Sequence, residues 1–167
     1  MGRIVTPPDL VDHAQTLIDA NAYLTLGTVG TDGLPWISPV CFAATGPREF
    51  YWISRLDARH SRNLRERPHV SLVVFDSTAP PYHGRAVYAD GYAHELSGDE
   101  VDAGLAVYPG PNRPGVPSLS RGDITESSGY RLYRATVTDL WVLCPREPSR
   151  PCPLHGLAHD HRALVEG

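Results

Sequence analysis

Apolar and polar residues alternate along much of this chain, and this period of two predicts β-strands because successive side chains of a strand point to opposite faces. Turn residues such as Thr31-Asp32-Gly33 separate the alternating stretches and favour hairpins between them. Gly91 lies inside the fifth stretch and indicates a bulge or bend there. The six predicted strands are Tyr23 to Val29, Pro35 to Ala43, Phe50 to Ser54, His69 to Asp76, Arg85 to Leu96 and Tyr130 to Leu143.

Three other stretches predict helices. The first begins after Pro7-Pro8, with Asp9 as its N-cap, and reaches about Asn21. The second spans residues 58–67 and is stopped by a proline, and the third spans residues 99–108 after the capping segment Ser97-Gly98-Asp99-Glu100. Strands linked by hairpins, with a few helices, predict a mainly β (α+β) domain whose antiparallel sheet closes as a small barrel.

We assign this barrel domain to residues 1–143 and treat residues 144–167 as a separate tail. The tail is rich in proline and histidine, and we expect it to pack on the barrel or on a partner subunit. It carries cysteines and histidines in a Cys-x7-Cys-x2-His-x3-His pattern, and soft thiolates with imidazoles suit zinc. That spacing matches no standard zinc finger, so we predict no metal site. The residues concerned are Cys144, Cys152, His155, His159 and His161, with Asp160 among them.

Composition narrows the class of protein. The chain has 167 residues, of which 41% are hydrophobic and 20% charged, as is typical of one globular domain. The formal net charge of -4 argues against general binding to nucleic acid or to acidic membranes. All 15 basic residues are arginine, so no lysine is available for Schiff-base chemistry. Without a signal-peptide pattern, a membrane-length apolar run or a disulfide framework, we expect a cytoplasmic protein.

The most informative stretch joins an apolar strand to an arginine-rich helix. Phe50 to Ile53 is apolar, a polar corner follows, and the helix begins at about Asp57. Hydrogen-bond donors gathered where a helix begins favour an anionic group, above all phosphate. The sequence therefore predicts an anion site at this corner.

Several motifs in their order and spacing resemble the pyridoxamine 5'-phosphate oxidase-like family. They are Gly33-Leu34-Pro35-Trp36-Ile37-Ser38-Pro39-Val40, Phe50 to Ser54, Ala58-Arg59-His60-Ser61-Arg62-Asn63-Leu64 with Pro68 to Leu72, and Gly91. The resemblance covers roughly residues 10–143. It implies a six-stranded antiparallel split β-barrel with flanking helices, assembled as a homodimer. FMN would lie in a groove between the two subunits, or the deazaflavin F420 in its place.

The resemblance also implies cofactor contacts. Ser38, Pro39 and Val40 would lie along the flavin ring, largely through backbone groups. The other implied contacts are Ser54 with Arg59 and His60 at the phosphate, Ser61 and Asn63 beside it, Arg85 at the ring edge and Trp141 in the groove. His60 stands where many relatives carry lysine, so part of the charge at the phosphate would depend on pH. Ser38 stands where the true oxidase carries arginine, and the family's C-terminal motif is missing, so the substrate is not predicted.

The leading hypothesis is an FMN-dependent oxidoreductase that transfers a hydride to or from a small molecule. No nucleophile or acid–base triad is expected, because the flavin itself supplies the reactive atom. An F420-dependent reductase is the alternative within the enzyme class, with Arg59, Arg62, Arg85 or Arg121 lining a basic groove. A non-catalytic protein that binds flavin or haem is a second class. Its candidate haem ligands are His13, His69, His83 and His94.

Overall fold

A computed structural model describes residues 9–110, 115–124 and 127–166 of the chain. Pro7-Pro8, which precede the first predicted helix, lie outside these residues. The helices are α1 (Leu10–Ala20), α2 (Arg59–Glu66) and α3 (Glu100–Val107), with a 3-10 turn at Arg121–Ile124. The strands are β1 (Tyr23–Val29), β2 (Pro35–Cys41), β3 (Ala43–Thr45), β4 (Glu49–Arg55), β5 (His69–Phe75), β6 (Ala86–Glu95), β7 (Tyr130–Leu143) and β8 (Arg162–Leu164).

The strands form one antiparallel sheet in the order β2-β1-β5-β6-β7-β4-β3, with β8 added beside β7. Its two end strands, β2 and β3, are joined through Phe42 alone, so the sheet must curl back on itself. The curled sheet with three helices confirms the predicted split-barrel fold. The split lies between β2 and β4, which are near each other without sharing a ladder.

The structure differs from the six predicted strands in two places. The stretch Pro35 to Ala43 is two strands, because the residues before Phe42 pair with β1 and those after it pair with β4. The fully buried Phe42 marks this change of neighbour. The second difference is β8, which pairs with the C-terminal half of β7. Three residues in a proline-rich tail give no alternation signal, and they form a strand because the β7 edge is there to pair with.

Two predicted helix caps and one predicted bulge involve single residues. The Asp9 carboxylate accepts hydrogen bonds from the N–H groups of Val11 and Asp12, which confirms it as the N-cap of α1. Asp99 of the predicted capping segment is the N-cap residue of α3, but its side chain makes no capping hydrogen bond. The register of β6 against β7 shifts between Asp90 and Gly91, which confirms the bulge. A Cβ at Gly91 would lie 2.9 Å from the Cα of Val137, so only glycine fits there.

The main core fills the inside of the curled sheet beneath α1. Its largest fully buried side chains include Phe42, Phe50, Trp52 and Leu140, and α1 contributes Ala14 and Ile18. The tail contributes two cysteines and two aliphatic residues to the same core: Cys144, Cys152, Ala163 and Val165. No helix among the described residues is long and apolar enough to cross a membrane.

The outer face of the sheet carries large apolar side chains that solvent reaches. Paired residues of neighbouring strands share a face, so the ladders Gly27–Ile37, Gly27–Ser71 and His69–Tyr92 extend one face across four strands. Exposed apolar side chains on this face include Tyr23, Ile37, Phe75 and Tyr92, and the pairs Tyr88–Trp141 and Trp141–Leu164 add Leu164 of β8. We call these five residues the outer apolar face.

Candidate functional site

A histidine bridges the split of the barrel. The His60 ring lies between β2 and β4, with its Nε2 2.6 Å from the Ser54 hydroxyl and its Nδ1 3.1 Å from the Ser38 hydroxyl. Both serines are buried, at 8% exposure each. His60 is the second residue of α2, so the strand-to-helix corner aims its ring into the split. Three of the residues that sequence reasoning assigned to the cofactor are thus in direct contact; we call them the serine–histidine bridge.

Burial lowers the pKa of His60, which favours its neutral form at pH 7. A neutral imidazole has one N–H and one bare nitrogen, so one serine must donate to the ring while the other accepts from it. The accepting serine keeps its own O–H free to donate elsewhere. If His60 is protonated, both serines accept from it and both hydroxyl protons are free. In either state the bridge offers at least one donor for an oxygen of an anion.

Arg59 supplies positive charge beside the bridge. Its guanidinium lies over the Trp36 ring, 4.4 Å from the ring centroid, and is 4.0 Å from an Asp32 carboxylate oxygen. The aromatic ring holds the guanidinium by a cation–π contact while leaving its outer edge accessible. Trp36 is not among the cofactor contacts that the family resemblance implies. The pairing of Trp36 with buried Thr28 in the β1–β2 hairpin is the signal that places its ring on the inner side, where α2 lies.

Asn63 and Ser61 have different surroundings. The Asn63 amide donates to Thr28 Oγ1 at 3.0 Å, and Thr28 Oγ1 donates to the Trp36 carbonyl at 3.3 Å. This chain fastens α2 to the β1–β2 hairpin and so holds the corner in place. Ser61 is buried on another side of α2, in a depression that it lines together with Tyr133. Asn63 therefore supports the site from beneath, and Ser61 faces away from the serine–histidine bridge.

Pro39 and Val40 follow Ser38 in β2. Pro39 is exposed on the same face as Ile37, whereas the Val40 side chain is buried in the core. Because β2 ends the path of the sheet, one of its edges has no strand paired with it among the described residues. Any contact from Val40 to a ligand would be made by its backbone at that free edge.

Arg85 and Trp141 lie away from the bridge within one chain. The Arg85 guanidinium donates to three carbonyl groups, those of His83, Gly84 and Arg146, at 2.8–3.2 Å. It therefore fastens the start of β6 to the tail. Trp141 pairs with Tyr88 on the outer side of β7. Neither residue is brought to the serine–histidine bridge by the fold of a single chain.

The remaining arginines considered for F420 do not form a common basic groove with Arg59. Arg121 forms an ion pair with Asp102, with nitrogen–oxygen distances of 2.6 and 2.8 Å. Arg62 donates to the backbone carbonyl of Asp57 at the start of α2. Of the four arginines considered for F420, only Arg59 and Arg62 share one helix.

A cavity of about 400 Å³ lies on the outer side of the β1–β2 hairpin, next to the C-terminal end of α2. Its walls are largely apolar, and Arg67 and His69 supply its charged and titratable groups. The His69 ring also contacts the Tyr92 ring, with 5.1 Å between centroids. Of the other histidines considered as haem ligands, His94 is paired with Glu100 at 3.4 Å, and His13 is half buried, with a pKa lowered mainly by that burial. The cavity is lined by Gly27, Thr28, Val29, Pro35, Trp36, Ile37, Arg67, His69, Val70 and Ser71.

Similar structures share this fold. A haem-binding protein from Mycobacterium smegmatis has a TM-score of 0.68 at 20% identity, over 96% of this chain and 60% of that one. A candidate 5-nitroimidazole antibiotic resistance protein from Bacteroides thetaiotaomicron has a TM-score of 0.64 at 12% identity, over 78% and 81% of the two chains. HutZ, the haem storage protein of Vibrio cholerae, has a TM-score of 0.61 at 21% identity, over 80% and 94%. This chain therefore spans about 60% of the length of the mycobacterial protein.

Among curated proteins, none has a sequence that matches this chain. The family model described as Pyridoxamine 5'-phosphate oxidase matches residues 10–144, a span that holds every strand of the sheet except β8 and includes the serine–histidine bridge. The similar structures above have the same curled sheet. Because this match covers most of the chain, the chain belongs to the pyridoxamine 5'-phosphate oxidase family.

Proposed function

We propose that this protein binds FMN and is an oxidoreductase that transfers a hydride to or from a small molecule. The observation that carries the proposal is the serine–histidine bridge with Arg59 beside it. The bridge offers hydroxyl donors in the split of the barrel, and Arg59 adds a permanent positive charge. A phosphate monoester needs this combination of donors and charge.

The residues present fit a phosphate group. Ser38 and Ser54 are nearly buried, so a hydrogen bond from either to an anion is little weakened by water. His60 holds both hydroxyls in position, and Asn63 holds the helix that carries His60. When FMN is bound, its isoalloxazine ring supplies the hydride chemistry. The chain's own residues would bind the phosphate, orient the cofactor along the free edge of β2 and exclude water from the split.

A homodimer is part of the proposal. The outer apolar face carries Tyr23 at 63% exposure and Ile37 at 65%, together with three further large apolar side chains. Several large apolar side chains exposed on one sheet face favour a protein interface there. Covering this face with a second copy would bury them. It would also allow Trp141 and Arg85 of one subunit to approach the bridge of the other.

Purified protein tests the proposal directly. We expect flavin absorbance in the protein as purified, or saturable binding of FMN on titration. F420 should bind more weakly, because the arginines of the protein do not form a basic groove for its acidic tail. Turnover of a reduced nicotinamide with an electron acceptor would then separate an enzyme from a carrier. Protein that binds neither FMN nor F420 would refute the proposal.

Paired variants locate the phosphate contact. Arg59→Ala removes a charge-assisted contact worth about 1.5–3 kcal/mol, so FMN affinity should fall about 10- to 100-fold. Arg65→Ala removes an arginine of the same helix that is exposed and lies away from the bridge. It should leave the affinity unchanged. Riboflavin, which has no phosphate, should bind both variants equally.

Haem binding is a second candidate. The cavity of about 400 Å³ has apolar walls with His69 and Arg67 at hand, which could serve as an axial ligand and a partner for a propionate. Two of the similar structures are haem-binding or haem storage proteins. Titration with haemin should then give an intense visible band that His69→Ala abolishes and His83→Ala preserves. An unchanged band in His69→Ala would exclude His69 as the ligand.

A further inference from the structure

Two cysteines and two histidines of the tail meet in one small cluster. The Sγ atoms of Cys144 and Cys152 are 3.0 Å apart, and each lies 3.5 Å from Nδ1 of His155. Nε2 of His161 is 3.1 Å from that same nitrogen. All four atoms lie within 4.8 Å of one another. Both cysteines are buried free thiols, while the histidines lie nearer the surface. We call these four residues the tail cluster.

We propose that the tail cluster binds one Zn²⁺ ion as a closed structural site. This departs from the sequence-based prediction of no metal, which counted His159 in the spacing. Tetrahedral zinc with bonds of about 2.3 Å to sulfur and about 2.0–2.1 Å to nitrogen places sulfur–nitrogen pairs about 3.5 Å apart and nitrogen pairs about 3.3 Å apart. The two sulfur–nitrogen distances of 3.5 Å and the nitrogen–nitrogen distance of 3.1 Å are close to these values. The two sulfurs would need to separate by about 0.8 Å to reach the tetrahedral spacing.

The protonation pattern favours a cation. His161 Nδ1 lies 3.0 Å from the His159 carbonyl, so it donates its proton there and leaves Nε2 with a lone pair. That lone pair faces Nδ1 of His155, which in turn faces both sulfurs. With both cysteines as thiolates, lone pairs of all four atoms converge on one point, where they would bind a cation together. The contact from His161 to a backbone carbonyl is the outer hydrogen bond that usually orients a metal-bound histidine.

The backbone holds the ligands in place without the metal. Cys144 N–H donates to the His161 carbonyl at 2.9 Å, which brings the two ends of the tail loop together. Cys152 N–H donates to Leu157, and Gly156 N–H donates to Cys152, both at 2.8 Å. Gly156 has a φ of +69°, so this turn between Cys152 and His161 favours glycine. An ion pair between Arg146 and Asp160, at 2.7 Å, links the two sides of the same loop.

Zinc is the metal that this ligand set selects. Two thiolates and two imidazoles in a tetrahedron are typical of structural zinc, and four protein ligands leave no open position for a substrate. The site fixes the loop that leads from β7 into β8. We therefore assign to zinc the role of holding β8 against β7, and no part in flavin or haem chemistry.

Metal analysis of the whole chain tests the proposal. We expect one zinc per chain after purification, and both tail cysteines protected from a thiol reagent until a chelator is added. Replacing zinc by Co²⁺ should give the intense visible bands of tetrahedral cobalt with thiolate ligands. Neither measurement depends on a variant folding.

Variants at exposed positions then identify the ligands. His155→Ala should weaken zinc binding more than about 100-fold, because even outer partners of metal ligands change affinity by about 10- to 100-fold. His161→Ala should do the same, whereas the matched control His159→Ala should retain zinc. Protein that takes up no stoichiometric metal, or that carries a Cys144–Cys152 disulfide, would overturn the proposal. So would a folded His155→Ala variant with unchanged affinity.

Discussion

His60 and His155 each lie between two other side chains, but the groups around them differ in kind. His60 has a hydroxyl on either side, and each hydroxyl can donate or accept, so the serine–histidine bridge satisfies itself by hydrogen bonds. His155 faces two sulfurs and a second imidazole nitrogen, and these are the ligand atoms that zinc prefers once the thiols lose their protons. The first cluster is complete without a ligand and still has a proton to offer an anion. The second is completed by a cation.

The two clusters also differ in how the fold builds them. The bridge joins three elements, β2, β4 and α2: the corner between β4 and α2 brings Ser54 to His60, and the curl of the sheet brings Ser38 to both. The tail cluster comes from one loop between β7 and β8, held by its own turns. A site built by the sheet should be insensitive to the tail, and a site built by one loop should control only what that loop holds.

Removing the metal should have the largest effect and should separate the two regions. With free zinc at about 1,000 times its Kd, bound metal stabilises the folded chain by about 4 kcal/mol. A chelator should therefore lower the Tm by about 8–16 °C, at about 2–4 °C per kcal/mol for a chain of this size. Calorimetry with and without chelator measures this shift. FMN affinity should not change, and a parallel loss of flavin would show that the two regions are coupled.

The pH dependence of FMN binding should be the next largest effect. Burial lowers the pKa of His60 in the free protein, so a phosphate beside the ring would raise it and binding would take up a proton. We expect affinity to rise about 3- to 10-fold between about pH 8 and about pH 6, relative to His60→Lys, whose charge is constant in this range. The phosphate titrates equally in both proteins, so their ratio isolates His60. Parallel pH profiles would contradict a contact from His60.

The folding stability of the free protein should fall as the pH is lowered, whereas the affinity for FMN should rise. A lowered pKa for His60 means that the unfolded chain binds the proton more readily. The stability that His60 contributes is therefore fully present above its unfolded pKa of about 6.5, and it is lost as the pH falls below that value and through the lower pKa of the folded protein. Urea titrations at several pH values measure this, with His60→Lys again as the comparison.

The cation–π contact should give the smallest effect. Trp36→Leu removes the ring beneath Arg59, a contact worth about 0.5–1 kcal/mol at an exposed site, so FMN affinity should fall about two- to fivefold. Tyr130→Leu removes a similar ring beside Arg55, at 5.9 Å, outside the bridge. It should leave affinity unchanged. Equal losses in both variants would mean that Trp36 has no specific part in holding Arg59.

Sequence reasoning reached the bridge more easily than the tail cluster. The alternation in β1 and β2, and the corner before α2, follow from local periodicity, and the family motifs pick out Ser38, Ser54 and His60 together. That these three touch depends on the curl of the sheet, which no local pattern encodes. In the tail, sequence spacing cannot choose between His159 and His161, because the turn at Gly156 and the start of β8 decide which ring faces the cysteines. The positions of Arg85 and Trp141 could not be predicted either, because they depend on the contact of Arg85 with the tail and on the pairing of β6 with β7.

β7 has two neighbours along one of its sides. β4 pairs with its N-terminal half and β8 with Trp141 to Leu143. Without β8, this stretch would present unpaired N–H and C=O groups, which template the pairing of one chain with another. After loss of the metal, we therefore expect self-association and exchange of β8 between chains to occur before global unfolding. Light scattering of chelated protein, well below its Tm, would detect these assemblies, and a monodisperse signal would show that β8 holds the edge unaided.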